Sequence, residues 1–131
     1  MASLQLKQLV KDFGAVRVIH GVDLEVHNGE FVVFVGPSGC GKSTLLRIIC
    51  GLEEASSGDI LIDGQRVNHL RAADRELAMV FQSYALYPHM TVYQNMAFGL
   101  ENIGTSKAEI EKRVGGAAKL LRLDQLLQRK P

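Results

Sequence analysis

One glycine-rich segment constrains the fold of this chain more than any other feature. Residues 36–43 read Gly-Pro-Ser-Gly-Cys-Gly-Lys-Ser and match the pattern G-x-x-x-x-G-K-[ST] at every fixed position. The preceding residues, 31–35, form an unbroken apolar run that is typical of a strand buried on both faces. The following residues, 42–50, carry leucine and isoleucine in a run that indicates a buried helix ending at Gly51. Strand, loop and helix in this order predict an α/β fold.

The residue types of this loop suit the binding of phosphate groups. Glycines let the chain curl so that several backbone N–H groups converge, and the helix adds free N–H groups and a partial positive charge at its start. Lys42 is predicted to contact the β- and γ-phosphates of a nucleotide, and the Ser43 hydroxyl to bind Mg²⁺. The alternative is a glycine turn that matches by chance. The predicted phosphate-site residues are Gly36, Pro37, Ser38, Gly39, Cys40, Gly41, Lys42, Ser43 and Thr44.

Strand patterns recur on both sides of the loop. Alternating apolar and polar residues predict strands over 4–10 and 22–26, and Asn28-Gly29 is a hairpin signal before the run at 31–35. Residues 59–63 alternate again, and Gly64 closes them as a hairpin. A second buried strand is predicted over residues 77–81. The expected architecture is an antiparallel β layer beside a parallel β/α core.

Two helices are predicted in the last third of the chain. Thr91 with Gln94, and Ser106 with Glu109, have the spacing of a capping box. Apolar residues keep helical spacing after Ser106. The pair Gly115-Gly116 interrupts that pattern, at a cost of about 1 kcal/mol per glycine relative to alanine.

Composition excludes several classes of protein. A length of 131 residues indicates one domain. The net charge of +1 gives no basic excess that would favour nucleic acid. No run reaches the roughly 20 apolar residues of a membrane span, so a cytoplasmic location is the default expectation. The two cysteines form no CxxC motif, and the four histidines have no metal-ligand spacing.

The loop alone would also suit a small kinase or a GTPase, so the rest of the chain must decide. Residues 35–51, the hairpin of residues 58–64 and the sequence Val80-Phe81-Gln82 resemble ABC-transporter ATPases. Residues 82–92, Gln-Ser-Tyr-Ala-Leu-Tyr-Pro-His-Met-Thr-Val, resemble the ATPase subunits of bacterial carbohydrate importers of the maltose and glycerol-phosphate type. The resemblance covers essentially the whole chain. It implies that residues 1–131 are the N-terminal part of a nucleotide-binding domain that uses ATP and Mg²⁺.

The resemblance implies further site residues. Phe13 stands where the family stacks an aromatic ring on adenine, and Val18 is expected on the other side of the base. A phenylalanine in the core at a strand end is the alternative. Gln82 matches the family's Q-loop glutamine, which implies a catalytic role: binding Mg²⁺ and sensing the γ-phosphate. The alternative there is a loop glutamine in solvent.

The same resemblance implies partners and a location. The segment between Ser83 and His89 is rich in aromatic and apolar residues, which suits docking to the membrane subunits of a transporter; a loop folded back on its own core is the alternative. Two ATPase copies are expected to sandwich two ATP molecules. The full-length protein is then expected to be peripheral, on the cytoplasmic side of the plasma membrane, powering sugar import.

Motifs for turnover are expected beyond Pro131. The resemblance places the signature loop, the Walker B aspartate, the catalytic glutamate and the switch histidine there, so the chain alone is expected to bind ATP without hydrolysing it. Residues 60–63 look like a short Walker B strand, but Gly64 follows where the catalytic carboxylate would be. A nucleotide-binding fragment without catalysis and a small-molecule kinase stay open as alternatives. A kinase predicts an arginine-rich lid and an acceptor site, and neither is recognisable.

Overall fold

The computed structural model describes residues 2–131, which divide into two compact units, one ending at Met79 and the other comprising Val80–Pro131. The first unit contains four strands, a helix and a 3₁₀ turn. The second contains two helices and a 3₁₀ turn. The elements are β1 (Leu4–Phe13), β2 (Val16–Val26), α1 (Lys42–Ile49), β3 (Ser57–Ile62), β4 (Gln65–Arg66), a 3₁₀ turn (Ala72–Asp74), α2 (Val92–Asn102), α3 (Lys107–Leu120) and a 3₁₀ turn (Asp124–Leu126).

The first unit is built on an antiparallel sheet with strand order β2-β1-β3-β4. A bulge interrupts β1 at Gln8, whose φ is +48° and whose N–H donates to the Asp23 carboxylate at 2.8 Å. An extra residue in a strand reverses the alternation of its faces. Leu6 and Leu9 are therefore both buried although they are three positions apart. The strands predicted over residues 4–10 and 22–26 are confirmed, and both are longer than expected.

Helix α1 supplies the other half of the core of this unit. Its sequence places apolar side chains on one stripe, and that stripe packs against the sheet. The buried residues of this core are Leu6, Leu9, Ile19, Leu45, Ile48, Ile49, Ile60 and Val67. The predicted hairpin at Asp63-Gly64 is confirmed, since β3 and β4 pair across that turn. Packing of α1 on β1 and β2 fixes the start of the helix, where the glycine loop joins it.

The two buried strands expected on either side of this region do not form. Residues 31–35 and 77–81 make no ladder, and Phe31 and Val35 are 90% and 91% exposed. Asn28-Gly29 does form a turn, with the Glu30 N–H donating to the His27 carbonyl at 3.0 Å, but it joins no hairpin. The strand predictions for both segments are wrong here because a parallel strand needs neighbours to accept its hydrogen bonds. The sheet among residues 2–131 is antiparallel throughout, and neither segment pairs with any of its strands.

The second unit is a pair of helices whose starts follow the sequence signals. Thr91 and Gln94 form a complete capping box at α2, and the Ser106 hydroxyl accepts the Glu109 N–H at α3. Both helix predictions are confirmed. Helix α3 runs through the glycine pair at residues 115–116 without a break. Ala97, Ile110 and Val114 form the core of this unit.

Candidate functional site

The glycine loop enters α1 through a left-handed residue. Gly41 is the N-cap, with φ +99°, and no side chain caps the helix. The first N–H to join the ladder is that of Leu45, which donates to the Gly41 carbonyl at 2.8 Å. The N–H groups of residues 42–44 precede the first helical bond and carry the positive end of the helix dipole. This end of α1 is therefore suited to an anion.

Glycine is the residue type that fits at position 41. A Cβ there would lie 3.0 Å from Ile19 Cδ1 and 3.2 Å from the Val18 carbonyl oxygen, in addition to the strain of the positive φ. Glycine allows the loop to lie directly on β2. The predicted loop and the predicted Val18 are thus brought together by the fold.

The Lys42 side chain curls back into the loop instead of extending into solvent. Its Nζ donates to the carbonyls of Gly36 at 2.8 Å and Pro37 at 2.7 Å, and lies 3.5 Å from Cys40 Sγ. These carbonyls carry no net charge and form no ion pair with the ammonium, so an anion entering the loop would compete with them for it. Ser43, next in the helix, is exposed.

A cavity of about 480 Å³ lies between β2 and the loop. It combines apolar side chains from the strand with the polar loop, a combination typical of ligand sites. Its lining residues are Val18, Ile19, His20, Val22, Val33, Phe34, Val35, Cys40, Gly41, Lys42 and Leu45. Sequence reasoning missed His20 and Val22. Simple alternation along β2 would not have found both, because a bulge at Gly21 (φ +74°) separates them: Val22 pairs with Leu9 and His20 with Val10.

Phe13 ends β1, pairs with Val16 across the turn and is 47% exposed. It does not belong to the hydrophobic core, which removes the alternative of a core phenylalanine. The Lys11 ammonium lies over its ring, 4.6 Å from the centroid. Next to it, Arg17 donates two hydrogen bonds to the Asp12 carboxylate, at 2.8 and 3.0 Å. These bonds lower the pKa of Asp12 and raise the pKa of Arg17.

Gln82 and the segment between Ser83 and His89 belong to the second unit, and every one of these residues is exposed. Residues 82–85 form a turn. The segment is tied to α2 by Asn95, whose Oδ1 accepts the Tyr87 N–H at 2.8 Å and whose Nδ2 donates to the Tyr87 carbonyl at 3.1 Å. Tyr84 points away from the unit and is 75% exposed. The alternative of a loop folded into its own core does not hold, and Gln82 does not end a strand.

The helices and the possible metal ligands of residues 2–131 bear on membranes and metals. None of the helices has the length and apolar character needed to cross a bilayer. Within this range, no three side chains of histidine, cysteine, aspartate or glutamate cluster as a metal site would require.

Comparison with known proteins assigns the family. The model of the family described as "ABC transporter" matches residues 19–131. The chain belongs to the ABC transporter family. It is 63% identical over 131 residues to the alpha-glucoside transport ATP-binding protein AglK of Rhizobium meliloti. This match covers 100% of this chain and 36% of that protein. The sn-glycerol-3-phosphate import ATP-binding protein UgpC of Cereibacter sphaeroides is 59% identical over 100% of this chain and 38% of its own length. The lactose transport ATP-binding protein LacK of Rhizobium radiobacter is also 59% identical, with 36% of its length covered.

Solved structures agree with the family assignment. A dimeric ATP-binding cassette in a post-hydrolysis state, bound to ADP and Pi, superposes with a TM-score of 0.84 at 31% identity over 98% of this chain and 61% of that one. A nucleotide-free ATP-binding cassette from an ABC transporter gives a TM-score of 0.80 at 27% identity over 99% of this chain and 58% of that one. The predicted α/β phosphate-loop fold is thereby confirmed. The chain spans somewhat more than a third of the length of the curated relatives named above.

Proposed function

We propose that this chain binds Mg-ATP and that the loop of residues 36–44 holds the phosphates. The supporting observation is the Lys42 ammonium curled into a loop that opens on the uncapped start of α1. The β- and γ-phosphates would take over Lys42 from the two carbonyls, and backbone N–H groups would bind the remaining oxygens. The Lys42 ammonium and the free N–H groups at the start of α1 already lie at the loop, so only the contacts of the ammonium need to change.

Mg²⁺ prefers hard oxygen ligands. In nucleotide sites it keeps several waters and is coordinated by phosphate oxygens of the nucleotide together with a few protein oxygens. Ser43 offers an exposed hydroxyl in the first turn of α1, beside Lys42, and this donor fits such an ion. Gln82 would supply an amide oxygen and sense the γ-phosphate, as the family resemblance implies. Bound Mg²⁺ would neutralise charge on the phosphates, while Lys42 and the loop amides orient them.

The base would stack on the exposed ring of Phe13, with Val18 on its other side. Val18 touches the phosphate loop through Gly41, and Phe13 ends the strand paired with β2. Base and phosphates would thus be held by one rigid pair of strands and the helix packed on it. An aromatic platform of this kind adds about 1–3 kcal/mol per base.

In the whole protein, we infer an ATPase subunit of an importer of carbohydrates or related polyols. Support comes from relatives named for transport of alpha-glucosides, lactose and glycerol 3-phosphate, each matched over all of this chain. Residues 1–131 would form the N-terminal part of its nucleotide-binding domain. Two copies would pair, and the exposed residues 83–89 would dock on membrane subunits at the cytoplasmic face of the plasma membrane.

The experiment is a titration of Mg-ATP into wild type and Lys42→Ala by calorimetry. Loss of the main counter-charge to the phosphates is expected to remove most of the binding. Lys112→Ala is the matched control, because Lys112 is an exposed lysine on α3, in the other compact unit. Equal affinity in wild type and Lys42→Ala would refute the proposed phosphate site.

A further inference from the structure

Lys11 is a buried cation with an unusual set of neighbours. It is 9% exposed, although lysine is rarely buried in proteins. Its Nζ lies 2.7 Å from a carboxylate oxygen of Glu53 and donates to the Glu54 carbonyl at 2.7 Å. The same ammonium lies 4.6 Å from the centre of the Phe13 ring. A strand brings residues two apart to the same face, so Lys11 and Phe13 are neighbours by register.

These contacts account for the cost of burying the charge. An unpaired buried ammonium would be expensive, but here a carboxylate and a carbonyl take two of its donors and the ring faces the third side. Glu53 and Glu54 follow the end of α1, the helix that begins at the phosphate loop. Lys11 therefore joins the aromatic ring at the end of β1 to the far end of that helix.

We propose that Lys11 is a positioning residue for the base, a step that rests on the proposed nucleotide site. Its ammonium lies over the Phe13 ring, and the ring, which is 47% exposed, keeps enough free surface to serve as the platform for a purine. Glu53 holds the cation in place, so the ring is fixed before the nucleotide binds. Fixing a side chain in its bound orientation removes an ordering cost from binding.

The test separates the base from the phosphates. Wild type, Lys11→Met, Phe13→Ala and the double variant are titrated with Mg-ATP and with Mg-tripolyphosphate, which has the phosphates without the base. Lys11→Met is expected to weaken Mg-ATP about three- to tenfold, the range of a partly desolvated cation–π contact. Tripolyphosphate affinity is expected to stay within about twofold, and Lys11→Met should add nothing to Phe13→Ala.

Arg17→Met is the matched control: it removes a neighbouring cation that pairs with Asp12. It should leave Mg-ATP affinity unchanged. Should Lys11→Met fail to fold, as thermal unfolding would reveal, Glu53→Gln takes its place; it keeps the cation and frees it from its partner, and must weaken Mg-ATP but not tripolyphosphate.

Equal losses for both ligands would overturn the role of Lys11, and so would a loss of Mg-ATP affinity that persists in the Phe13→Ala background. Unchanged Mg-ATP binding in folded Lys11→Met would do the same. A different outcome bears on the proposed base site itself. If Phe13→Ala alone binds Mg-ATP like wild type, base stacking fails, whatever Lys11 does.

Discussion

Cys40 and Cys50 differ in the environment that controls thiol reactivity. Cys40 is exposed in the phosphate loop, and Cys50 is half-buried at the end of α1. Burial raises the pKa of the Cys50 thiol, an effect that the nearby Arg75 charge only partly opposes. A raised pKa leaves less thiolate at a given pH, and thiolate is the reactive form.

We therefore expect iodoacetamide at neutral pH to label Cys40 first. Cys50 labelling should rise only as the pH climbs towards its raised pKa, and bound Mg-ATP should protect Cys40 alone. Peptide mass spectrometry over a pH series measures both rates. Faster labelling of Cys50 at neutral pH would contradict the structure, and labelling of Cys40 unaffected by Mg-ATP would count against the phosphate site.

The exposed ring of Phe13 also leads to a prediction about which bases the site accepts. A ring that only stacks accepts every purine, because each base has a π face. ATP and GTP should bind within about tenfold, a difference of about 1.4 kcal/mol. Phe13→Ala should weaken both similarly, and calorimetry with the two nucleotides measures this. A thousandfold preference for ATP would mean that hydrogen bonds read the base.

At the scale of elements, α1 is defined by its two ends. It begins at Gly41 and ends in a Schellman motif, in which Gly51 (φ +74°) and Leu52 donate to the carbonyls of Ile48 at 3.1 Å and Arg47 at 2.9 Å. The stop predicted at Gly51 is thus confirmed. Arg75, which is 6% exposed, then closes the same end from outside. Its Nη1 donates to the carbonyls of Ile48 at 2.8 Å and Ile49 at 2.9 Å.

Arg75→Met is expected to destabilise the first unit by about 1–3 kcal/mol, because the Ile49 carbonyl loses the Arg75 donor, while the Ile48 carbonyl keeps the Gly51 N–H. Arg71→Met is the matched control. Its side chain is exposed and paired only with Asp74, so its loss should change stability by less than about 0.5 kcal/mol. Urea unfolding measures both variants. Equal stability of the two variants would show that the buried bonds of Arg75 contribute little.

At the scale of the molecule, the question is whether these residues can turn ATP over. Hydrolysis needs carboxylates that hold Mg²⁺ and orient water. The acidic candidates in the sequence are Asp63 and the pair Glu53-Glu54. Asp63 accepts from the Ser3 N–H at 2.7 Å and Glu53 pairs with Lys11, while Glu54 is exposed after the end of α1. The alternative of residues 60–63 as a catalytic strand is thereby disfavoured.

The 131-residue chain is thus expected to bind Mg-ATP and to release phosphate hardly faster than solution does. A phosphate-release assay on folded, purified chain measures this, with Lys42→Ala as the control for contaminating enzymes. Sustained release of several phosphates per chain per minute, abolished by Lys42→Ala, would contradict the expectation. It would point to a catalytic group among residues 1–131 that neither sequence nor geometry reveals.

The sequence predicted local structure correctly wherever one short segment contains all of the groups that interact. The start of α2 is an example, since Thr91 and Gln94 satisfy each other's backbone groups within a single turn. The loop at residues 36–43 is another, because its glycines determine the curl and its lysine reaches its own carbonyls. The hairpin at Asp63-Gly64 also depends only on neighbours.

Partners distant in the chain were decided by the tertiary structure alone. Residues 31–35 have the composition of a buried strand, yet a strand exists only where another backbone accepts its hydrogen bonds, and no strand of the sheet pairs with them. In the sequence, Arg75 and Lys11 look like ordinary surface charges. In the fold, each donates to a backbone carbonyl of a residue more than 25 positions away. Sequence by itself determined the phosphate loop and the helix caps, because their interactions are local. The buried position of Lys11 against the Phe13 ring depends on the tertiary structure, which brings Glu53 and Glu54 beside β1. The reason is that the free energy of a buried charge depends on the groups that surround it.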